Sequence, residues 1–316
     1  MAGLLIALGG NALQRAGGDG SWSEARRQMA KVAPVLAEIA RVTVPLVVTH
    51  GNGPQVGVLL RQNELGADEV PARPLDVLGA ETQGQIGYLV QTELTDALHA
   101  AGIARSVLTV ISRTEVRAND PAFRHPTKPV GRFYSEGEAR LLRKDHGWVM
   151  DHDVARGGWR RLVPSPRPVR WLEGRAVRQL LEAGHGARWI PVVSGGGGIP
   201  VVRRSNGAYE GVEAVIDKDL GAALVAGELG LETLAVVTDV PGAALDFGRS
   251  GERWLGEVAR ADLARWLREG QFGEGSMKPK IEAGLEFLSR GGKRFVITDV
   301  PSLPRALQGE AGTRVA

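Results

Sequence analysis

Three lysines stand in settings that restrict a long, flexible side chain. Lys128 lies in Pro126-Thr127-Lys128-Pro129, Lys218 in Asp217-Lys218-Asp219, and Lys280 in Ser276-Met277-Lys278-Pro279-Lys280. Residue type is itself a signal here: of the 39 basic residues, seven are lysine and 32 are arginine. Where only surface charge is needed, this chain uses Arg. A compact ammonium can sit on a single phosphate oxygen, whereas a guanidinium fork is larger and differently shaped. Phosphoryl transfer calls for such groups, because positioning and positive charge on the transferring group do most of the work. Asp217 and Asp219 could cap a helix that starts there, hold lysines in place, or help with Mg2+. Lys31, Lys144 and Lys293 read as solvated surface. Lys278 either meets a nucleotide phosphate or is solvated too.

Three glycine-rich turns could receive the anion. They are Gly9-Gly10-Asn11, Gly51-Asn52-Gly53-Pro54 and Ser194-Gly195-Gly196-Gly197-Gly198, each after an apolar run. Glycine lets backbone N–H groups approach an anion with no Cβ in the way. Pro54 suits the first position of a helix, whose N-terminus would then add free N–H groups beside Asn52 and Gly53. No Walker A loop, protein-kinase signature, nucleophile elbow or zincin motif occurs. Gly51-x-Gly53-x-x-x-Gly57 misses the dinucleotide fingerprint by one residue, and Glu69 and Asp76 lie in a Pro-rich turn region unsuited to the ribose contact. Asp145-His146 and Asp151-His152-Asp153 are metal-capable. Their histidines are six apart, which does not put both on one helical face, and no metal-ligand set is expected. His50 is the nearest potential base to the turns and reads as structural.

The elements that must position these residues are legible as an alternation. Apolar runs over 4–8, 45–49, 105–111, 189–193, 233–238 and 294–298 read as strands. Amphipathic stretches over 23–41, 54–65, 78–101, 173–183, 218–229, 260–269 and 278–289 read as helices. Strands apolar almost throughout, alternating with helices, predict an α/β fold with a doubly wound, mainly parallel sheet. Ligands of such sheets gather at the carboxyl ends of the strands, where the three turns fall. The stretch over about 120–168, with six prolines and many charges, breaks the rhythm and is expected to be a small lid or subdomain.

Composition sets the remaining bounds. The chain has no Cys, so disulfides and thiolate chemistry are out, which is compatible with the cytoplasm. The net charge of +3 argues against a strong nucleic-acid binder. No apolar run reaches membrane-spanning length. Met1-Ala2-Gly3-Leu4-Leu5 does not read as a secretory leader.

In order along the chain, the Gly9-Gly10-Asn11 and Gly275-Ser276-Met277-x-Pro279-Lys280 runs and the Asp217-Lys218-Asp219 element resemble the amino acid kinase family. The His50-Gly51-Asn52-Gly53-Pro54-Gln55, Thr82-Gln83-Gly84-x-Ile86-Gly87-Tyr88 and Pro126-Thr127-Lys128-Pro129 runs resemble its carbamate kinase branch. The resemblance implies a three-layer αβα sandwich over residues 1–316 with a carbamate-binding N-terminal lobe, a nucleotide-binding C-terminal lobe and a protruding lid over about 120–168. It implies the reaction ATP + carbamate = ADP + carbamoyl phosphate, with Mg2+ accompanying the nucleotide and no general base. By position, Lys128, Lys218, Lys280, Asp219 and Asn11 would be catalytic. Gly9, Gly10, Gly51, Asn52, Gly53, Gly195 and Gly196 would bind phosphate and carbamate, and Asp217, Thr238, Asp239, Ser276 and Met277 the nucleotide. A cytoplasmic homodimer is implied. After Thr238-Asp239-Val240 the family carries an Asp and then an aromatic; Pro241 and Ala244 occupy that region here, so the base pocket is expected to be lined differently. The alternatives are a relative phosphorylating another small acid, a non-catalytic nucleotide sensor on the same fold, and a dinucleotide-dependent oxidoreductase.

Overall fold

All five residues of the strand Leu4–Leu8 are buried. Alternate side chains of a strand point to opposite faces. Leu5 and Ala7 accordingly join one apolar cluster, and Leu4, Ile6 and Leu8 join another. A strand apolar at every position has to be covered on both sides. The computed structural model, which describes residues 3–10, 20–154, 157–182 and 185–316, covers it with a helical layer on each face. The helices Trp22–Val42, Leu75–Ala100 and Leu303–Gln308 pack on the Leu4, Ile6 and Leu8 side. Gly174–Glu182, Lys218–Leu229, Arg260–Arg268 and Met277–Ser289 pack on the other.

The central sheet has eight strands in the order Glu257–Val258, Thr313–Val315, Arg294–Asp299, Thr233–Thr238, Leu4–Leu8, Leu46–His50, Trp189–Val192, Ser106–Thr109. The neighbours from Arg294–Asp299 onward are all parallel. Thr313–Val315 runs antiparallel to Arg294–Asp299 and pairs parallel with Glu257–Val258, which forms that edge. The six expected strands are present, Leu4–Leu8 and Thr233–Thr238 with the expected ends and the other four with shifted ends, whereas Glu257–Val258 and Thr313–Val315 were not foreseen. One shift has a clear cause: Arg105 is not in the strand but buried beside it. Its guanidinium donates to the carbonyls of Ala40, Thr43, Gly186 and Trp189 at 2.8–3.2 Å. The first strand is the topological switch point. Chain that follows it builds outward through Leu46–His50 on one side and through Thr233–Thr238 on the other. In a doubly wound sheet the crevice at such a point is the usual ligand site.

Beside the main sheet stands a second, four-stranded sheet of Tyr209–Gly211, Ile199–Arg203, Arg113–Val116 and Pro168–Trp171. Its last two strands pair antiparallel and bracket the irregular stretch. That stretch is folded. Lys128–Tyr134, Gly158–Val163 and Val149–Asp153 form an antiparallel sheet, with the helix Glu136–His146 beside it. Its core is small: Tyr134, Ala139 and Met150, flanked by Leu142, Trp148 and Trp159. Arginines extend it, with Arg143 lying 4.4 Å from the Trp159 ring centre and Arg161 4.2 Å from that of Trp148. Such cation–π contacts contribute about 0.5–1 kcal/mol each at exposed sites. His146 and His152 rest on Trp148 and Trp159, and among the described residues no three His, Asp or Glu side chains gather to hold a metal. Nor is any helix among them long and apolar enough to cross a membrane.

Candidate active site

The three glycine turns interlock over the switch point. The Gly9 N–H donates to the Val237 carbonyl at 2.9 Å and the Gly51 N–H to that of Leu8 at 3.1 Å. A Cβ on Gly10 would lie 3.0 Å from the Gly53 carbonyl oxygen. Gly196 has φ +65°, and a Cβ there would come within 2.7–2.9 Å of the Asn52 side chain. These glycines are therefore needed for close approach between turns, not only for turning. Asn11 lies outside the described residues.

Pro54 stands one residue before the helix Gln55–Gly66 rather than at its first position. Its carbonyl accepts from the N–H groups of Gly57 and Val58, and the Asn52 carbonyl accepts from Val56. The helix thus starts directly behind the second turn.

Two aspartates organise the lysines. Asp217 precedes the helix Lys218–Leu229 and accepts from the Asp219 N–H at 2.9 Å, which caps the helix. Its other carboxylate oxygen accepts from Lys128 Nζ at 2.8 Å. One side chain therefore starts a helix and tethers a lysine from the antiparallel excursion. Asp219 is 2% exposed and accepts from both Lys218 Nζ and Lys280 Nζ, the latter at 3.2 Å. Lys280 Nζ also lies 3.3 Å from the Ser276 carbonyl. Burial alone would raise the Asp219 carboxyl, but the two ammonium groups outweigh it and hold it at about 2. Burial pulls Lys218 downward, and Lys280 adds to that, while Asp219 opposes it. The trio is left with one positive charge in excess, held away from bulk water. Lys278 is not part of this group: it pairs with Glu274 at 2.6 Å. Lys293, read as solvated surface, is exposed and pairs there with Glu232 at 2.6 Å.

His50 is 1% exposed, and its Nδ1 lies 2.7 Å from the Gly51 carbonyl oxygen. Burial lowers its pKa to about 4, with Lys218 pushing the same way. The ring is neutral near pH 7, so Nδ1 carries the proton and donates. A Cβ on Gly195 would lie 2.4 Å from His50 Cε1, so the imidazole is roofed by the third turn.

Two cavities flank this arrangement. One, of about 460 Å³, takes Gly51, Asn52, Gly53, Lys128, Gly196, Asp217 and Asp219. The other, of about 440 Å³, takes Gly9, Thr238, Asp239 and Met277. Gly10, Lys218, Gly275, Ser276 and Lys280 line both. Of the described residues to which the resemblance gave a catalytic, phosphate-binding or nucleotide-binding role, Gly195 alone lines neither. It is buried beneath the turn, where its carbonyl accepts from Gln83 Nε2 at 3.0 Å. Sequence reasoning missed Phe133 and Arg160 in the first cavity and Phe247, Gln271 and Phe272 in the second. Of the two residues at the departure, Ala244 lines the second cavity and Pro241 does not. The aromatic comes three residues later as Phe247, 61% exposed and edge-on to Trp254. Phe247's exposure is a property of the fold and gave no signal in the sequence, and nothing set Arg160 apart from the other arginines.

The sequence profile of the amino acid kinase family matches residues 3–299. The carbamate kinase of Pyrococcus horikoshii is 46% identical over 314 residues, which span 99% of this chain and 98% of that one. Among solved structures, a protein of Aeropyrum pernix K1 superposes with a TM-score of 0.92 at 42% identity, covering 99% of this chain and 98% of that chain. The carbamate kinase of Giardia lamblia bound to AMP-PNP superposes with a TM-score of 0.91 at 37% identity, over 99% and 98% of the two chains.

Proposed function

Since the chain belongs to the amino acid kinase family and, within it, groups with the carbamate kinases, we propose that this phosphotransferase interconverts ATP plus carbamate and ADP plus carbamoyl phosphate. The observation that carries the reading is the pair of cavities meeting at Lys218 and Lys280. A nucleotide in the Thr238, Asp239, Phe247 and Met277 cavity would present its terminal phosphate at that seam. A small acid in the Lys128 cavity would meet it from the other side. The excess positive charge of the Lys218–Asp219–Lys280 trio lies where negative charge gathers during transfer.

The carbamate oxygen is already anionic at neutral pH, so the attack needs no general base. His50, neutral and roofed by Gly195, is not available as one. Mg2+ would enter with the nucleotide and neutralise its phosphates. The two aspartates of the first cavity are committed to lysines, which fits an ion carried by substrate rather than one held by the protein. On this reading the N-terminal half supplies most of the acceptor cavity, the C-terminal half supplies the nucleotide cavity, and the excursion that carries Lys128 is a lid. The reading also brings a cytoplasmic homodimer, which sedimentation at twice the chain's mass would support. The deciding measurement is coupled detection of ATP formed from MgADP and carbamoyl phosphate. Turnover is expected; a chain that binds ADP and forms no ATP would refute the assignment.

A further inference from the structure

None of the residues from Thr82 to Tyr88, a run that resembles the carbamate kinase branch, lines either cavity. Gln83 in this run is nonetheless tied to one of them. It lies on the helix Leu75–Ala100 and is 2% exposed. Ile86 and Gly87 follow at three and four residues and share its face. Ile86 is buried in the core, and a Cβ on Gly87 would lie 2.2 Å from Thr109 Cγ2, so the helix packs closely on the edge strand Ser106–Thr109. That approach brings Gln83 to the connection after the strand. Its Oε1 accepts from the Ser112 N–H at 2.7 Å, and its Nε2 donates to the Ser112 carbonyl at 3.0 Å. Nε2 also donates to the Gly195 carbonyl at 3.0 Å. Both hydrogens of the amide are thus spent on backbone, which fixes its orientation.

Gly195 belongs to the third glycine turn, which is buried throughout residues 194–198. Ser194, Gly196, Gly197 and Gly198 have φ values of +51°, +65°, +88° and +93°. A serine in that region is strained and persists only where its surroundings over-determine it. Side chains from three other elements do so here. Thr49 Oγ1, on the strand Leu46–His50, donates to the Ser194 carbonyl at 3.0 Å. Thr114 Oγ1, on the strand Arg113–Val116, donates to the Gly197 carbonyl at 3.0 Å. Gln83 holds the carbonyl between them. A Cβ on Gly195 would lie 3.1 Å from Gln83 Cγ and 2.4 Å from His50 Cε1, so the turn has no slack.

We propose that Gln83, together with Thr114, is a positioning residue for the acceptor: the two seat the third turn so that Gly196 sets the Asn52 side chain in place against carbamate or carbamoyl phosphate. The proposal rests on the carbamate kinase reading. Gly196 and Asn52 line the acceptor cavity and not the nucleotide cavity. They meet directly, since a Cβ on Gly196 would come within 2.7–2.9 Å of the Asn52 side chain. A shift of the turn is therefore passed to Asn52 and felt on the acceptor side alone.

The test is steady-state ATP formation from MgADP and carbamoyl phosphate by the full chain, comparing wild type with Gln83→Met, Thr114→Val and Thr114→Ser. Methionine keeps the length of glutamine and makes none of its hydrogen bonds. Gln83→Met should raise the KM for carbamoyl phosphate by roughly 10-fold, the loss expected when one hydrogen bond to a charged ligand is displaced. The KM for ADP should stay within about twofold, because neither Gly196 nor Asn52 lines the nucleotide cavity. Thr114→Val should move the two constants in the same selective way, and Thr114→Ser, which keeps the hydroxyl, should bring them back towards wild type. A lower kcat with both KM values unchanged would leave Gln83 a purely structural residue and overturn the proposal, and so would equal increases for both substrates. Should Gln83→Met not fold, an unchanged KM for carbamoyl phosphate in Thr114→Val would overturn it. Absence of ATP formation by wild type would instead reject the reading on which the proposal stands.

Discussion

Asp219 accepts from two lysines while shut away from water, and this shapes how each lysine tolerates change. Lys218 has little room. A Cβ on Gly51 would lie 3.3 Å from Lys218 Cδ, and the glycine at 51 is what lets the stem pass. Lys218→Arg keeps the charge but puts a larger, forked group into that gap. It should lower kcat by about 100-fold or more, the size of effect seen when a transition-state donor is displaced. Near-normal kcat in a coupled assay would remove Lys218 from the mechanism. His50 gives a second prediction, on stability. Its pKa is about 4 when folded and about 6.5 when unfolded. Between those values the unfolded chain binds a proton that the folded chain does not. The corresponding stability is therefore fully present above about pH 6.5 and is lost as pH falls towards 4. The whole step amounts to about 3 kcal/mol. Urea denaturation at pH 7 and pH 4.5 should show a steeper loss in wild type than in His50→Gln; equal losses would contradict the buried neutral imidazole.

The start of the helix Lys218–Leu229 and the tether of the excursion depend on the same carboxylate, that of Asp217. The two roles are separable by substitution. Asp217→Asn keeps a capping oxygen and loses the charge opposite Lys128, whereas Asp217→Ala loses both. The alanine variant should be less stable than the asparagine variant by about 1 kcal/mol, the worth of a cap, in denaturant titration. Both should raise the KM for carbamoyl phosphate, since Lys128 is released in each. A KM raised by alanine but not by asparagine would show that the cap alone matters. At this scale the sequence was readable where elements are long or wholly apolar. Leu4–Leu8, Thr233–Thr238 and Lys218–Leu229 stand where the pattern put them, because burial on two faces leaves no other reading. The second sheet was not readable. Arg113–Val116, Pro168–Trp171 and Tyr209–Gly211 are three or four residues long and mix charge with apolar side chains, so no period can establish itself. Their pairing also joins Arg113–Val116 to Ile199–Arg203, far along the chain. Arg160 was hidden for a related reason. What sets it over the cavity is the packing of Phe133 on Gly158, beside a register shift between Val130 and Tyr134 that local sequence does not announce.

Across the whole molecule, the scarcity of lysine takes on a spatial meaning. Lys128, Lys218 and Lys280 come from distant parts of the chain and meet at two neighbouring aspartates. Sequence alone could single them out by type and by rigid surroundings; only the fold brings them together. The seam has a further consequence. Among the described residues its lining is Gly10, Lys218, Gly275, Ser276 and Lys280, which offers cations, one hydroxyl and backbone, with no imidazole or free carboxylate among them that could carry a phosphoryl group between the cavities. Donor and acceptor would then have to be present at once and react in a single displacement. A phosphorus centre made chiral with oxygen isotopes and sulfur records the number of displacements as handedness, because each one turns it inside out. One passage through this seam should deliver product of inverted configuration. Retention would mean two displacements, and with them a covalent stopping point on the protein.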